Sequence, residues 1–230
     1  MKKQALRTVL LDTLPVMTGY VILGIGFGIL LSEAGYGIGW ALSMGLFVYA
    51  GSMQYLAVSL LTSQASLIST AIATFLVNAR HIFYGLSLVD AYRDTGKKKP
   101  YMIFALTDET YSLVTQNHPP EGLSRHQYCF LVSLLDHIYW VAGCALGSAA
   151  GQVLPISFEG IEFVLTALFV TIFVEQWLSN QNHFPAIVGV MSTLLCLLLF
   201  GSSIFLIPSM VLITLLLTVG IKTGRRQNHE

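Results

Sequence analysis

The chain has 230 residues, 54% of them hydrophobic and only 10% charged, with a mean hydropathy of +0.69. An ordinary soluble domain carries about 25% charged residues, so this composition excludes a soluble globular protein and points to a membrane one. Twelve Lys and Arg balance twelve Asp and Glu, so net charge marks no nucleic-acid or acidic partner; the position of the charges carries the information.

A hydrocarbon core of about 30 Å takes roughly 20 residues of helix to cross. Apolar segments of suitable length run approximately 13–33, 39–62, 65–90, 101–116, 127–149, 159–179, 184–200 and 203–221. Alternating ten-residue strands are absent, which argues against a barrel. The fold class is therefore all-α: a polytopic membrane helix bundle of six to eight hydrophobic segments in a single integral membrane domain, residues 1–230. The opening "MKKQALRTVL" looks like the basic start of a signal peptide, but no small-residue cleavage site follows, so it reads as a retained first helix. "GIGFG" places Gly24 and Gly28 four apart, and "GCALGSAAG" does the same for Gly143, Gly147 and Gly151. Such spacing lets helix backbones approach closely in lipid. The alternative is a helix unwound at Gly24–Gly28, or at "YAGSMQY" (49–55), exposing backbone groups to a solute. Ser52 and Gln54 in the second stretch are polar residues that a purely structural helix does not need.

Lys2, Lys3 and Arg7 assign the N-terminus to the cytoplasm, and Lys222, Arg225 and Arg226 assign the C-terminus there too. The loop 91–100, with Arg93, Lys97, Lys98 and Lys99, conflicts with this if the first three segments all cross, because it then falls outside. Either one of those segments is broken or re-entrant and 101–116 also fails to cross, leaving six full spans, or there are eight. The segment 101–116 is short and carries Asp108 and Glu109 at its middle. Irregular backbone at membrane depth is tolerated only where protein buries it or water reaches it.

Several polar residues lie inside apolar segments: Asn78, Arg80 and His81 in the third, Asp108 and Glu109 in the fourth, Asp136 and His137 in the fifth, Glu175 near the end of the sixth. A charge at mid-bilayer costs about 2.5–3.5 kcal/mol on insertion scales, so even four unpaired ones would cost on the order of 10 kcal/mol. They must be paired, hydrated or protonated. On a continuous helix Asn78 and His81 share a face with Gly85, while Arg80 lies over Tyr84. Arg80 is the arginine at depth, facing three carboxyl groups; those it does not neutralise sit in a poor dielectric and are fit to carry protons. The alternative is that Arg80 and a carboxylate only clamp helices together, and Asp136 with His137 is either a structural pair or a proton relay. Cys129, Cys144 and Cys196 show neither metal-ligand nor disulfide spacing. No cofactor, metal or nucleophile motif occurs, since the "GIGFG" glycines lie inside an apolar span rather than after a strand.

"YAGSMQY", then "FLVNARHIFYGLSL", then "FALTDETYSL" resemble, in this order, the AzlC family of branched-chain amino acid transport proteins, with the Asn78-x-Arg80-His81 stretch and the Asp108–Glu109 pair the most specific parts. The family more often has a small residue where Met53 stands and phenylalanine where Tyr55 stands. The resemblance implies a multi-pass protein of the bacterial cytoplasmic (inner) membrane that exports branched-chain amino acids or analogues, its substrates being small hydrophobic amino acids. It also implies a small AzlD-type membrane partner; the absence of cofactor motifs points to no cofactor. A non-transporting assembly subunit, or a membrane-embedded enzyme built on His81, His137 and the acids, are the alternatives.

Overall fold

The computed structural model describes residues 3–153 except 79 and 94, together with 170, 173, 174, 177, 178, 182–201, 205, 208, 209 and 211–218; the side chains of 76, 80 and 83 are outside the description. The described residues are helices and connecting turns, with no strand among them. The chain divides into two compact units, Met1–Leu165 and Thr166–Glu230.

The first unit contains α1 (Lys3–Glu33), α2 (Ile38–Phe47), α3 (Gly51–Thr62), α4 (Leu67–Asn78), α5 (Arg80–Ser87), a 3-10 turn (Gly96–Lys98), α6 (Lys99–Phe104), α7 (Asp108–Gln116) and α8 (Arg125–Val153). Among the described helices, α1 with 31 residues and α8 with 29 are each long and apolar enough to cross a membrane unaided. Pro15 lies inside α1 without ending it. Leu11 and Ile22 on α1, Leu67 and Ile68 on α4 and Leu146 on α8 are exposed, an arrangement suited to lipid rather than water.

The two long helices lie parallel and in register. Tyr128 Oη donates to Asp12 Oδ2 (2.9 Å), and further along a Cβ on Gly24 would meet Cys144 N at 2.9 Å. A Cβ on Gly28 would run into Cys144 O and Ser148 N, one on Gly147 into Ile25 O, and one on Gly151 would meet Ser32 Cβ at 2.9 Å. Backbone touches backbone for two turns, and only hydrogen at Cα permits it. α1 stays helical through Gly24 and Gly28, so the close approach is what these glycines serve here and the helix does not unwind there.

The expected segment 39–62 does not cross. Its first half, α2, follows Gly37, which lies beside Gln152 near the end of α8, and runs inward until Gly45 packs on Val141. The helix then stops, with Tyr49 in the left-handed region at φ 43°. A conformation of that kind costs on the order of 1–3 kcal/mol for a non-glycine residue and persists only where its surroundings enforce it. α3 runs back the way α2 came: Tyr55 Oη donates to Leu23 O (2.6 Å), and Val58, Ser59 and Thr62 share a cavity wall with Leu30, Glu33 and Ala34. The pair is a re-entrant hairpin.

The segment 65–90 then traverses the unit through α4 and α5. It reaches a core at the opposite end, where Val9, Leu88, Tyr92, Met102, Val114 and Tyr128 pack together. The segment 101–116 is a second hairpin of the opposite sense. α6 leaves that core with Pro100 in its first turn. The chain bends at 105–107, where Thr107 meets Tyr20 of α1 (2.6 Å), and α7 returns so that Val114 rejoins the core. Arg125 donates to the carbonyl oxygens of Asn117 and Val114, satisfying the end of α7.

A traverse followed by a hairpin therefore occurs twice, in opposite directions, an inverted arrangement that leaves no legible sequence repeat. The basic loop 91–100 lies at the same end as the start of α1, and Lys98 Nζ sits 4.3 Å above the Phe130 ring of α8.

In the second unit α9 (Phe184–Phe200) opens with Pro185 in its first turn and closes at Gly201, φ 71°. Trp177 stacks on His183 at 4.1 Å. Most of segment 159–179 and part of 203–221, with Glu175, Lys222, Arg225 and Arg226, lie outside the described residues.

The glycine contact has a measurable consequence. Gly147→Val should destabilise the protein by about 1–3 kcal/mol or more, because the rigid backbone of Ile25 cannot move away. Gly19→Ala, where nothing lies within 4 Å of the added carbon, should leave it unchanged or slightly stabilised. Thermal unfolding of both variants in detergent, with equal melting temperatures, would refute the packing argument.

Candidate functional site

The two hairpin tips meet at mid-unit, between α1 and α8. Tyr49 at the first tip packs on Phe104 at the second (ring centroids 6.2 Å) and on His137 of α8 (4.3 Å). His137 ties three elements together. Its Nε2–H donates to Gly45 O of α2 (3.2 Å) and its Nδ1 lies 3.0 Å from Tyr101 Oη of α6. The carbonyl can only accept, which places a hydrogen on Nε2.

Gln54, fully buried, fastens the start of α3. Its Oε1 accepts from Ala50 N (3.2 Å) and from Trp140 Nε1 of α8 (2.9 Å). Its Nε2 is buried with no hydrogen-bond partner. At the second tip Thr107 is the N-cap of α7, its Oγ1 accepting from Thr110 N (3.3 Å). Asp108 and Glu109 occupy the first turn of α7, where the helix dipole favours negative charge.

Asp136, on α8 one turn from Trp140, is fully buried. Its Oδ2 accepts from Thr110 Oγ1 (2.7 Å), while its Oδ1 has no hydrogen-bond partner. Glu109 Oε2 accepts from Tyr20 Oη (2.7 Å). The Tyr49 phenol oxygen is likewise buried and unpartnered. Since buried polar groups are nearly always satisfied, these three atoms on Asp136, Gln54 and Tyr49 stand out among the described residues. The Tyr20 and Phe27 rings pack against Trp140 (5.5 and 6.5 Å), giving the same region apolar walls.

Of the residues singled out in the sequence, Gln54, Glu109, Asp136 and His137 thus come together, and Asp108 stands beside Glu109. Asp136 and His137 do not pair with each other, because adjacent positions on a helix point about 100° apart. Asn78 and His81 are used locally. α4 is described to Asn78 and α5 from Arg80, and the residue between them lies outside the described residues. Asn78 Nδ2 donates to Thr74 O (2.9 Å), and His81 Nδ1 lies 3.1 Å from Asn78 O. The Arg80 side chain lies outside the described residues. Sequence reading missed Tyr20, Tyr49, Thr107, Thr110 and Trp140. The N-cap pattern of "TDET" signals Thr107; the aromatic residues carry no local signal, since phenols and indoles with one polar tip are ordinary in apolar helices.

Breaking the Gln54 link should be costly. Gln54→Leu leaves the Trp140 indole N–H and the Ala50 amide unpaired, about 1–3 kcal/mol for each. Gln54→Glu keeps the acceptor and should lose less; chemical or thermal unfolding of the two variants side by side measures the difference.

Comparison with known proteins follows the same boundaries. The family model described as AzlC protein matches residues 15–154, nearly the whole described part of the first unit. The chain is 39% identical over 215 residues to the branched-chain amino acid transport protein AzlC of Bacillus subtilis, covering 94% of this chain and 85% of the relative. It is 42% identical over 205 residues to an uncharacterised membrane protein of Helicobacter pylori, with 89% and 90% covered. It is also 24% identical over 210 residues to the inner membrane protein YgaZ of Escherichia coli, with 87% and 82% covered. No solved structure matches.

Proposed function

The chain belongs to the AzlC family of membrane proteins, and from that premise we propose that it exports branched-chain amino acids or close analogues across the bacterial cytoplasmic membrane, coupled to protons and in company with a small AzlD-type membrane protein. The observation that carries this reading is the meeting of two oppositely directed half-helix hairpins at a buried polar cluster. Transporters with inverted repeats place substrate and coupling ion at such interruptions, near the bilayer midplane.

In this reading Asp136 Oδ1 accepts from the substrate ammonium, and Gln54 Nε2 with the N-terminal end of α3 receives its carboxylate. Phe27, Phe104 and Trp140 enclose a leucine-like side chain. Glu109 and Asp136 handle the proton. Arg80 holds the substrate carboxylate or neutralises the acids of α7 and α8, while Asn78 and His81 border the route beside it. The basic loop 91–100 and the start of α1 share one end, which supports a cytoplasmic N-terminus; the C-terminal Lys222, Arg225 and Arg226 support the same side.

Radiolabelled leucine flux into proteoliposomes, with and without the small partner and under an imposed pH gradient, tests the proposal. Flux should follow the gradient. Asp136→Asn removes a charged hydrogen bond of about 1.5–3 kcal/mol, so transport should fall roughly tenfold or more. Arg80→Lys should also impair flux if the guanidinium holds a carboxylate through two parallel bonds, because lysine keeps the charge and loses the fork. Absence of flux in both preparations, from folded protein, would favour a non-transporting subunit.

A further inference from the structure

Glu109 and Asp136 are the two ends of one hydrogen-bonded chain. Glu109 Oε2 lies 2.7 Å from Tyr20 Oη, Tyr20 Oη 2.6 Å from Thr107 Oγ1, Thr107 Oγ1 3.0 Å from Thr110 Oγ1, and Thr110 Oγ1 2.7 Å from Asp136 Oδ2. The chain draws on α1, the second hairpin tip, α7 and α8. All four links are within hydrogen-bond distance for oxygen pairs.

Counting protons gives the result. Three hydroxyl groups supply one hydrogen each, and ionised carboxylates supply none, so three hydrogens serve the four links at those distances. With both acids ionised, Tyr20 donates to Glu109 and Thr110 to Asp136. Thr107 then fills one of its two links, and in the other two oxygens face each other, lone pair to lone pair, at 2.6 or 3.0 Å. One added proton removes the conflict: placed on either carboxyl group, it lets every oxygen donate in a single direction. Placed on both, the two ends donate toward each other and a hydroxyl hydrogen is displaced.

We propose that Glu109, Tyr20, Thr107, Thr110 and Asp136 form a relay that stores one exchangeable proton and passes it between a half-exposed end at Glu109 and a sealed end at Asp136. Transfer is balanced: Glu109 gives its proton to Tyr20, Tyr20 gives its own to Thr107, Thr107 to Thr110 and Thr110 to Asp136, leaving Glu109 ionised and Asp136 neutral. The described titratable groups that bear on this chain are Tyr49 at the first tip, Tyr101 on α6 and Asp108 on α7; His137 faces Tyr101 and Gly45 instead. A proton at Asp136 and an ammonium at its free Oδ1 favour opposite states of that carboxyl group. The relay therefore exchanges one proton for one cationic solute group, and in this respect it rests on the transport reading above.

The proton itself is read without transport. Infrared spectra of the full chain in lipid, taken across a pH series, should show one carboxylic-acid carbonyl band surviving where exposed carboxyl groups are ionised. Asp136→Asn should abolish it. So should Glu109→Gln, since the amide N–H supplies the missing hydrogen and leaves Asp136 ionised. Asp12→Asn, outside the relay, should leave the band in place, and circular dichroism verifies the fold of each variant. Survival of the band in folded Glu109→Gln, or its absence from the wild type, overturns the proposal; Glu109→Gln alone suffices if Asp136→Asn does not fold. The two readings fail separately. A band with the expected behaviour and no gradient-driven flux keeps the relay and removes the transport role, whereas gradient-driven flux with a band indifferent to Glu109 removes the relay.

Discussion

Everything in the first unit is measured from the contact between α1 and α8. Because Gly24, Gly28, Gly143 and Gly147 let the two backbones touch, the helices cannot slide or rotate without a collision of main-chain atoms. In lipid this matters more than in water, since apolar side chains gain little by leaving the hydrocarbon and packing must supply the attraction. The pair acts as a rigid post, and each hairpin is fastened to it. Tyr55 of the first binds the Leu23 carbonyl on α1 and Gln54 binds Trp140 on α8; Thr107 of the second reaches Tyr20, and Thr110 reaches Asp136.

The hairpins impose the opposite demand. Stopping a helix at mid-unit strands amide and carbonyl groups that, away from water, need partners. The chain answers with side chains at each tip: Gln54 for the Ala50 amide, Thr107 for the Thr110 amide, and the His137 imidazole for the Gly45 carbonyl. What makes the region more than a repaired fracture is the remainder. Asp136, Gln54 and Tyr49 keep polar atoms without partners, and Tyr49 holds a backbone conformation that an ordinary helix connection avoids. It is this polar capacity, left over after the backbone is satisfied, on which the proposed solute site rests.

The inverted order of traverse and hairpin places the two tips at one depth from opposite sides. In transporters built from inverted repeats, substrate and coupling ion sit near such an interface, which is why the proposed function is placed here. A relay that starts at a half-exposed glutamate and ends at a sealed aspartate fits that geometry, because its two ends belong to different degrees of solvent access while the hydroxyls between them stay on fixed helices.

Composition alone fixed the class of this protein: 54% hydrophobic residues cannot be covered by so few polar ones except in a bilayer. Glycines four apart, a cluster of acids in a short apolar segment, and lysines collected in one loop were equally legible, because each works through local spacing or a simple sum of charge. The family was legible for a similar reason, its motifs being contiguous. Hydropathy could not distinguish 39–62 or 101–116 from segments that cross, since a hairpin entering and leaving the membrane is as apolar as a span. Tyr20, Thr107, Thr110 and Asp136 lie as much as 116 positions apart in a chain of 230. Only the tertiary structure made them neighbours, because the post formed by α1 and α8 sets the depth at which each of them stands.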